Sequence, residues 1–355
     1  MMREGRLAGI DGLRAVAVLG VVLFHARLAG AQLGWAGVEL FFVISGFLIT
    51  RILLELRPHP RYLQIFYARR ALRILPVYYV VVLVSVMLAL AAGRSPASLD
   101  LPFYVVYLQN YFPQIPSEMN GGIPLTSHTW TLAVEEQFYW LWPLVILIAG
   151  SRTLRVIVVA CVIGAPITRL VTLLVTANSF VMVATLPAQV DALAVGAALA
   201  LAERAGVARG ILRTWATVAI VGGAALLVLL VATGGGLDAF AETRTWGTAP
   251  VNALLLTAFA ALFGGVVTLT AFEGGRALRI LEWRPLVHIG RISYGLYIYN
   301  PLGLLIASLV ITPFDPSAAE SVVAIALGTA LTYVLALISW RYMETPLLRR
   351  RRTIA

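Results

Sequence analysis

Long apolar stretches alternate with short polar segments along the chain, and this pattern predicts its architecture. An α-helix needs about 20 mainly apolar residues to cross a bilayer. The pattern predicts about ten membrane-spanning helices, near residues 15–33, 35–53, 74–92, 129–149, 156–176, 181–202, 214–233, 249–271, 293–312 and 320–340. The sequence therefore predicts an all-α integral membrane protein.

The segments between these stretches are short, so we expect one transmembrane domain over residues 1–355 and no separate soluble domain. Residues 101–112 are apolar and aromatic but too few to cross a bilayer. We expect them to be re-entrant or interfacial, within a loop at 93–127 that is rich in turn-forming residues.

Composition agrees with a membrane location. Charged residues make up only 12% of the chain, against about 25% in a soluble domain. The net charge is +10, and all 27 basic residues are arginines. Such an excess can indicate nucleic-acid binding, but here most of the arginines fall on one side of the predicted spans. Because cytoplasmic loops carry the basic excess, we expect both termini in the cytoplasm.

Several ionisable residues lie inside apolar stretches, where a charge is costly and is usually kept for transport or chemistry. Five of them lie roughly 6–12 Å inside the outer ends of their predicted spans, at 1.5 Å per residue: His25, Glu39, Glu135, Arg169 and Asp191. This shared depth predicts one polar cavity in the outer half of the membrane. The alternative is a set of separate ion pairs that brace the helices, with Arg169 neutralising Asp191 or Glu39.

His25 is the natural general base, because an imidazole can take up and return a proton near neutral pH. His25 and Arg14 are eleven residues apart, so they share a helical face at a separation of about 16 Å. Glu135 is suited to hold the imidazole tautomer, while Glu136 points about 100° away. We predict catalytic roles for His25 and Glu135. The alternative for His25 is a helix-end residue that faces lipid headgroups.

The remaining histidines receive no catalytic role. His59 lies in a loop, His288 lies in a basic stretch, and His128 is placed to cap a helix entry. No spacing of His, Cys and carboxylates resembles a zinc site, and no glycine-rich phosphate loop follows a strand. We therefore expect no metal.

A basic run, YARRALRILP, precedes the third predicted span. Arg69 and Arg73 lie one helical turn apart, and arginine forks suit phosphate oxygens. Anchoring on anionic lipid explains any one of these arginines equally well. The other interpretation is a binding site for a phosphorylated cofactor at the cytoplasmic mouth.

Several motifs, in order, resemble the membrane-bound acyltransferase family 3 over nearly the whole chain. They are GIDGLRAVAVLGVVLFHA, WAGVELFFVISGFLIT, YARRALRILPVYY and HTWTLAVEEQFYWLWPL, followed by the looser matches AQVDALAVGAALA, GRISYGLYIYN and SWRYMETPLL. The resemblance implies a bacterial inner-membrane enzyme that transfers an acyl group to hydroxyls of glycans or natural products. The donor it implies is an acyl-CoA, usually acetyl-CoA, that enters from the cytoplasm.

By this resemblance His25 is the catalytic base, beside Arg14 and Glu135, and three arginines face the CoA phosphates: Arg69, Arg70 and Arg73. Direct transfer and an acyl-histidine intermediate both remain open. Two positions depart from the family pattern. Asn300 stands where a His is frequent, and Gln189 where an Arg often precedes the Asp.

We expect both departures to contact substrate or brace the pore, and the candidate substrate-binding residues are Glu39, Glu136, Arg169, Asp191 and Asn300. The chain also lacks the hydrolase-like extracytoplasmic domain of some members, so we expect no mechanism that needs one.

The predicted function is membrane O-acyl transfer to a cell-envelope glycan, a lipid-linked sugar or an exported glycosylated natural product. The rival is a transporter or flippase that uses His25 and the buried carboxylates as a proton relay. No internal repeat is evident, which disfavours the rival.

Overall fold

The structure, a computed structural model, describes residues 8–28, 30–111, 123–176, 183–233, 253–272, 276–311 and 322–351. These residues form helices and no strand, which confirms the all-α prediction. The α-helices are α1 (Ala8–His25), α2 (Gly37–Leu56), α3 (Tyr62–Ala91), α4 (Leu101–Val105), α5 (Trp130–Ile148), α6 (Ser151–Thr176), α7 (Leu186–Arg204), α8 (Arg209–Thr233), α9 (Leu255–Phe272), α10 (Arg284–Arg291), α11 (Ser293–Ile311), α12 (Val322–Ser339) and α13 (Thr345–Arg351).

Shorter helical turns connect them. The 3₁₀ turns are Gln32–Ala36, Pro96–Leu99, Gln109–Tyr111, Ser127–Thr129 and Arg276–Glu282, and a π-helical turn at Trp340–Glu344 joins α12 to α13.

Nine helical stretches in the described part of the chain are long and apolar enough to cross a membrane. They are Ala8–His25, Gln32–Leu56, Tyr62–Ala91, Ser151–Val175, Leu186–Arg204, Arg209–Thr233, Leu255–Phe272, Ser293–Ile311 and Val322–Arg350. The tenth predicted span, 129–149, coincides with α5, whose Glu135, Glu136 and Gln137 reduce its hydropathy. Each predicted span thus overlaps a helix, although residues 29, 181–182, 249–252, 312 and 320–321 of these spans lie outside the described residues. The cytoplasmic placement of the termini stays a prediction.

The segment 101–112 contains only the short helix α4 and one 3₁₀ turn, as expected for a segment that does not cross, and residue 112 lies outside the described residues. Helix α3 begins at Tyr62 rather than at 74, because the basic run preceding the apolar stretch is helical and continuous with it. The family motif YARRALRILPVYY is therefore part of one long helix.

The chain divides into two compact units. The first lies within Met1–Val21, Gln32–Arg57 and Gln137–Arg291, and the second within Val22–Ala31, Pro58–Glu136 and Ile292–Ala355. Helices α1 and α5 contribute residues to both. The single domain predicted over 1–355 stays a prediction.

In the first unit, α2 and α7 pack backbone against backbone. A methyl group added at Gly46 would collide with the Leu193 carbonyl, and one at Gly196 would collide with the Val43 carbonyl. Lipid tails are as apolar as side chains, so membrane helices associate through such close packing of small residues. The motifs VISGF and DALAVG thus specify a helix–helix contact.

This contact predicts opposite effects for two glycine-to-alanine changes. Gly46→Ala is expected to lower the free energy of unfolding by about 1–3 kcal/mol, because the added methyl group overpacks the contact. Gly222→Ala is the matched control, since nothing lies within 4 Å of a methyl group there. It should raise stability by up to about 1 kcal/mol through helix propensity. Thermal unfolding in detergent measures both, and a Gly46→Ala protein as stable as the parent contradicts the packing argument.

Candidate active site

His25 lies in the last turn of α1, which ends because the backbone becomes left-handed at Arg27 (φ 54°). The Arg27 N–H donates to the Phe24 carbonyl (3.0 Å), and the Leu28 N–H donates to the Leu23 carbonyl (3.1 Å). These two bonds form a Schellman motif. The helix does not continue to residue 33, so the depth that we derived for His25 from that end is wrong.

The His25 ring meets Asn300 of α11 within the second unit. The Nδ1 atom of His25 lies 2.9 Å from the Asn300 side-chain amide nitrogen. Asn300 is fully buried, whereas His25 is half-buried. Asn300, which we predicted to depart from the family pattern, therefore touches the predicted base directly.

A second imidazole, that of His128, lies edge-on to His25 with 6.2 Å between ring centroids. His128 is buried, and the centroid of its ring lies 5.2 Å from that of the Tyr297 ring. The Tyr297 hydroxyl lies within hydrogen-bonding distance of both the His128 carbonyl (2.9 Å) and the Thr131 hydroxyl (2.7 Å). The pKa of His128 is lowered to about 3, mainly because the ring is buried and to a smaller extent because His25 is close. The His128 ring is therefore neutral at physiological pH.

That His128 has no catalytic role stays a prediction, but its ring lies beside that of His25. The motif HTW before α5 and the spacing of Tyr297 and Asn300, three residues apart on one face of α11, were the available signals. Neither signal predicts that Tyr297 contacts His128 or that Asn300 contacts His25, because the two residues of each pair are distant in sequence.

The two neighbouring glutamates occupy different environments, as their angular separation predicts. Glu136 is buried and interacts electrostatically with Arg70 and Glu135. Glu135 is half-buried and interacts electrostatically with Tyr297. Glu135 is thus near the aromatic neighbour of His128. A contact between Glu135 and the His25 ring stays a prediction.

The predicted phosphate-binding arginines lie in the first half of α3. All three are half-buried: Arg69, Arg70 and Arg73. Arg14 lies in α1 and is half-buried as well. In the part of the chain that is described, no group of three or more His, Cys, Asp or Glu side chains could hold a metal ion.

The first unit contains a fully buried ion pair. Arg169 of α6 and Asp191 of α7 have no exposed side-chain surface, and 2.8 Å separates the guanidinium nitrogen from the carboxylate oxygen. Arg169 also donates to the carbonyls of Ala253 (2.7 Å) and Ala188, and Thr257 donates to Asp191 (2.6 Å).

Two further buried side chains adjoin this pair. Glu39 interacts with both of its members and with Gln189, whose amide donates to the Val183 carbonyl (2.7 Å). This is the ion-pair arrangement that we gave as the alternative to a shared cavity. Substrate contacts by Glu39, Arg169 and Asp191 stay predictions.

Comparison with known proteins identifies the family. A protein-family model for an acyltransferase domain matches residues 7–341. The chain belongs to this acyltransferase family. The match confirms the resemblance drawn from the motifs and favours an acyltransferase over the rival transporter.

Curated relatives of the chain include the O-acetyltransferase OatA of Staphylococcus aureus, which is 28% identical over 365 residues. The peptidoglycan O-acetyltransferase OatA of Listeria monocytogenes is 28% identical over 359 residues. The alignments cover 97% and 95% of this chain but only 57% and 55% of the two relatives, so the chain spans little more than half of their length. No solved structure gave a significant match.

The buried Arg169–Asp191 ion pair predicts a strong effect on stability. Asp191→Ala is expected to cost about 3–5 kcal/mol of unfolding free energy, because it leaves the Arg169 guanidinium buried without its counter-charge. The double variant Arg169→Met/Asp191→Leu removes both charges and should be more stable than Asp191→Ala. Thermal unfolding in detergent compares them. If Asp191→Ala unfolds like the parent protein, the bracing role is refuted.

Proposed function

We propose that this protein is a membrane O-acyltransferase that moves an acetyl group from acetyl-CoA to a hydroxyl of a cell-envelope glycan. The family and the names of both relatives support acyl transfer, and the name of the Listeria protein supports a peptidoglycan-type acceptor. The nine apolar helical stretches of the described residues support a multi-pass location, which we assign to the bacterial inner membrane.

The observation that carries this proposal is the half-buried His25 ring, held at Nδ1 by a buried amide. With Nδ1 engaged, the Nε2 atom is the nitrogen left to face a reactant. A positioned imidazole of this kind contributes about 10²–10⁴-fold to rate as a general base.

The proposed reaction needs one base. Nε2 of His25 removes the proton from the acceptor hydroxyl while the oxygen attacks the thioester carbonyl. The carbon–sulfur bond breaks, and the departing CoA thiolate receives the proton from the imidazolium. The acceptor then carries the acyl ester, and His25 is again neutral.

Donor binding is assigned to the arginines at the start of α3. CoA carries several phosphate charges, and guanidinium groups bind phosphate oxygens through paired hydrogen bonds. Arg69 and Arg73 share a helical face, while Arg70 also interacts with Glu136. We also assign catalytic roles to Arg14 and Glu135, as the motif resemblance implies.

Replacement of the base tests the chemistry. His25→Ala should lower acetyl transfer about 10²–10⁴-fold with normal folding. His59→Ala is the matched control, because that imidazole lies in an exposed turn and accepts a hydrogen bond from the Arg61 N–H. The measurement is incorporation of labelled acetyl from acetyl-CoA into envelope glycans by membrane vesicles, with mass spectrometry of the glycan. Undiminished transfer by well-folded His25→Ala protein removes His25 as the base.

A comparison of two acyl donors, with and without the nucleotide phosphates, tests whether Arg69 and Arg73 bind the phosphates of CoA. Arg69→Ala/Arg73→Ala should raise the KM for acetyl-CoA about tenfold or more, since charged hydrogen bonds contribute about 1.5–3 kcal/mol. The KM for acetyl-pantetheine, which lacks the nucleotide phosphates, should change little. The control Arg209→Ala/Arg213→Ala removes two exposed charges elsewhere. If the KM for acetyl-pantetheine rises as much as the KM for acetyl-CoA, phosphate binding by Arg69 and Arg73 is refuted.

A further inference from the structure

We infer that Asn300 determines which nitrogen of His25 carries the proton: its side-chain oxygen accepts a hydrogen bond from Nδ1–H and leaves the lone pair on Nε2. Asn300 is then a positioning residue for the base. The catalytic part of this inference rests on the proposed function, whereas the tautomer itself does not.

The contact geometry supports a specific interaction. The amide and Nδ1 are 2.9 Å apart, Asn300 is fully buried, and it lies in α11 immediately before Pro301. The oxygen and nitrogen ends of an asparagine amide exchange by a half-turn without any change of shape. The position therefore fixes the contact, and chemistry decides which end of the amide faces the ring.

The two orientations have different consequences for catalysis. If the amide NH₂ faced Nδ1, that nitrogen would have to accept, and the single proton of a neutral imidazole would lie on Nε2. The ring would then have no lone pair for a substrate. With the oxygen facing Nδ1, the same hydrogen bond persists when the ring is neutral and when it is protonated, so the amide need not move during the cycle.

The Asn300 amide, as the hydrogen-bond partner of His25, is also uncharged. A carboxylate at this position would favour the imidazolium, and a histidine could itself titrate. Among the described titratable groups, His128 lies beside His25, Tyr297 packs against His128, and Glu135 interacts electrostatically with Tyr297. An amide therefore orients the base without raising its proton affinity.

Nitrogen-15 NMR tests the tautomer directly. The full chain, labelled with ¹⁵N-histidine and reconstituted in liposomes, gives distinct shifts for protonated and unprotonated ring nitrogens, and His25→Gln assigns the His25 signals. We expect Nδ1 to be protonated in the parent protein and in Asn300→Asp, which keeps an acceptor. The near-isosteric Asn300→Leu should shift the ring towards the Nε2–H form. Asn110→Leu removes another buried amide of the second unit and should leave the His25 tautomer unchanged.

Kinetics provide the second measurement. Asn300→Leu should lower kcat about 10–100-fold with the KM for acetyl-CoA unchanged. Asn300→Asp should retain most of the activity. A carboxylate raises the pKa of an adjacent imidazole. The acidic limb of the pH–rate profile of Asn300→Asp should therefore lie about one pH unit or more above that of the parent.

The inference is overturned if His25 carries its proton on Nε2 in the parent protein, or if Asn300→Leu leaves the tautomer unchanged. It is also overturned if an active parent and Asn300→Leu share the same kcat and pH profile. Failure of the proposed function gives a different result. The parent protein then shows no acyl transfer, or His25→Ala transfers acyl groups as fast as the parent, while NMR still shows the proton of His25 on Nδ1.

Discussion

Polar atoms inside a bilayer must find partners within the protein, and this constraint governs both units of the structure. Water is absent from the hydrocarbon region, so an unpaired polar group there costs several kcal/mol. In the first unit the constraint is met by Arg169 and Asp191, which are joined across α6 and α7 and supplemented by neighbouring backbone carbonyls. In the second unit the Asn300 amide pairs through one end with the His25 ring, while its other end is buried without a hydrogen-bond partner among the described residues.

The same constraint explains the polar anchoring of the chain between α3 and α5. Gln109, fully buried, donates to Tyr78 and to the backbone and hydroxyl of Thr129, each at 3.2 Å. Tyr78 in turn donates to the Tyr104 carbonyl at 2.9 Å. This web ties the turn before α5 to α3, and that turn carries His128. The position of the second imidazole thus depends on a short amide-centred network within the second unit.

The spans could be predicted because hydrophobic length is a local property of sequence. Their ends were less predictable. The left-handed conformation of Arg27, which ends α1, is adopted by a residue that rarely favours it, so composition gave no signal. The early start of α3 was missed because arginines reduce hydropathy without interrupting a helix. Likewise α5 is a helix, although its three consecutive polar residues lower its apolar character.

The candidate site was predictable residue by residue but not contact by contact. The place of His25 in an apolar stretch and the chemistry of imidazole selected it, motif resemblance marked Asn300 as a departure, and periodicity separated the environments of Glu135 and Glu136. Which side chain touches the base depends on how α1 and α11 pack, and no spacing within either helix encodes that. The Asn300 contact and the His128 ring therefore appear only in three dimensions.

Charge has different uses in the two buried clusters, and the difference follows from what each must do. A permanent brace gains from full ionisation, because two opposite charges with satisfied hydrogen bonds stabilise each other and cannot separate cheaply. A base must instead be neutral before it reacts and charged only briefly afterwards. A carboxylate against His25 would stabilise the charged form in the resting state, whereas an amide orients the ring and leaves its charge to be set by the reaction. An arginine–aspartate pair suits the brace for the same physical reason that an asparagine suits the imidazole.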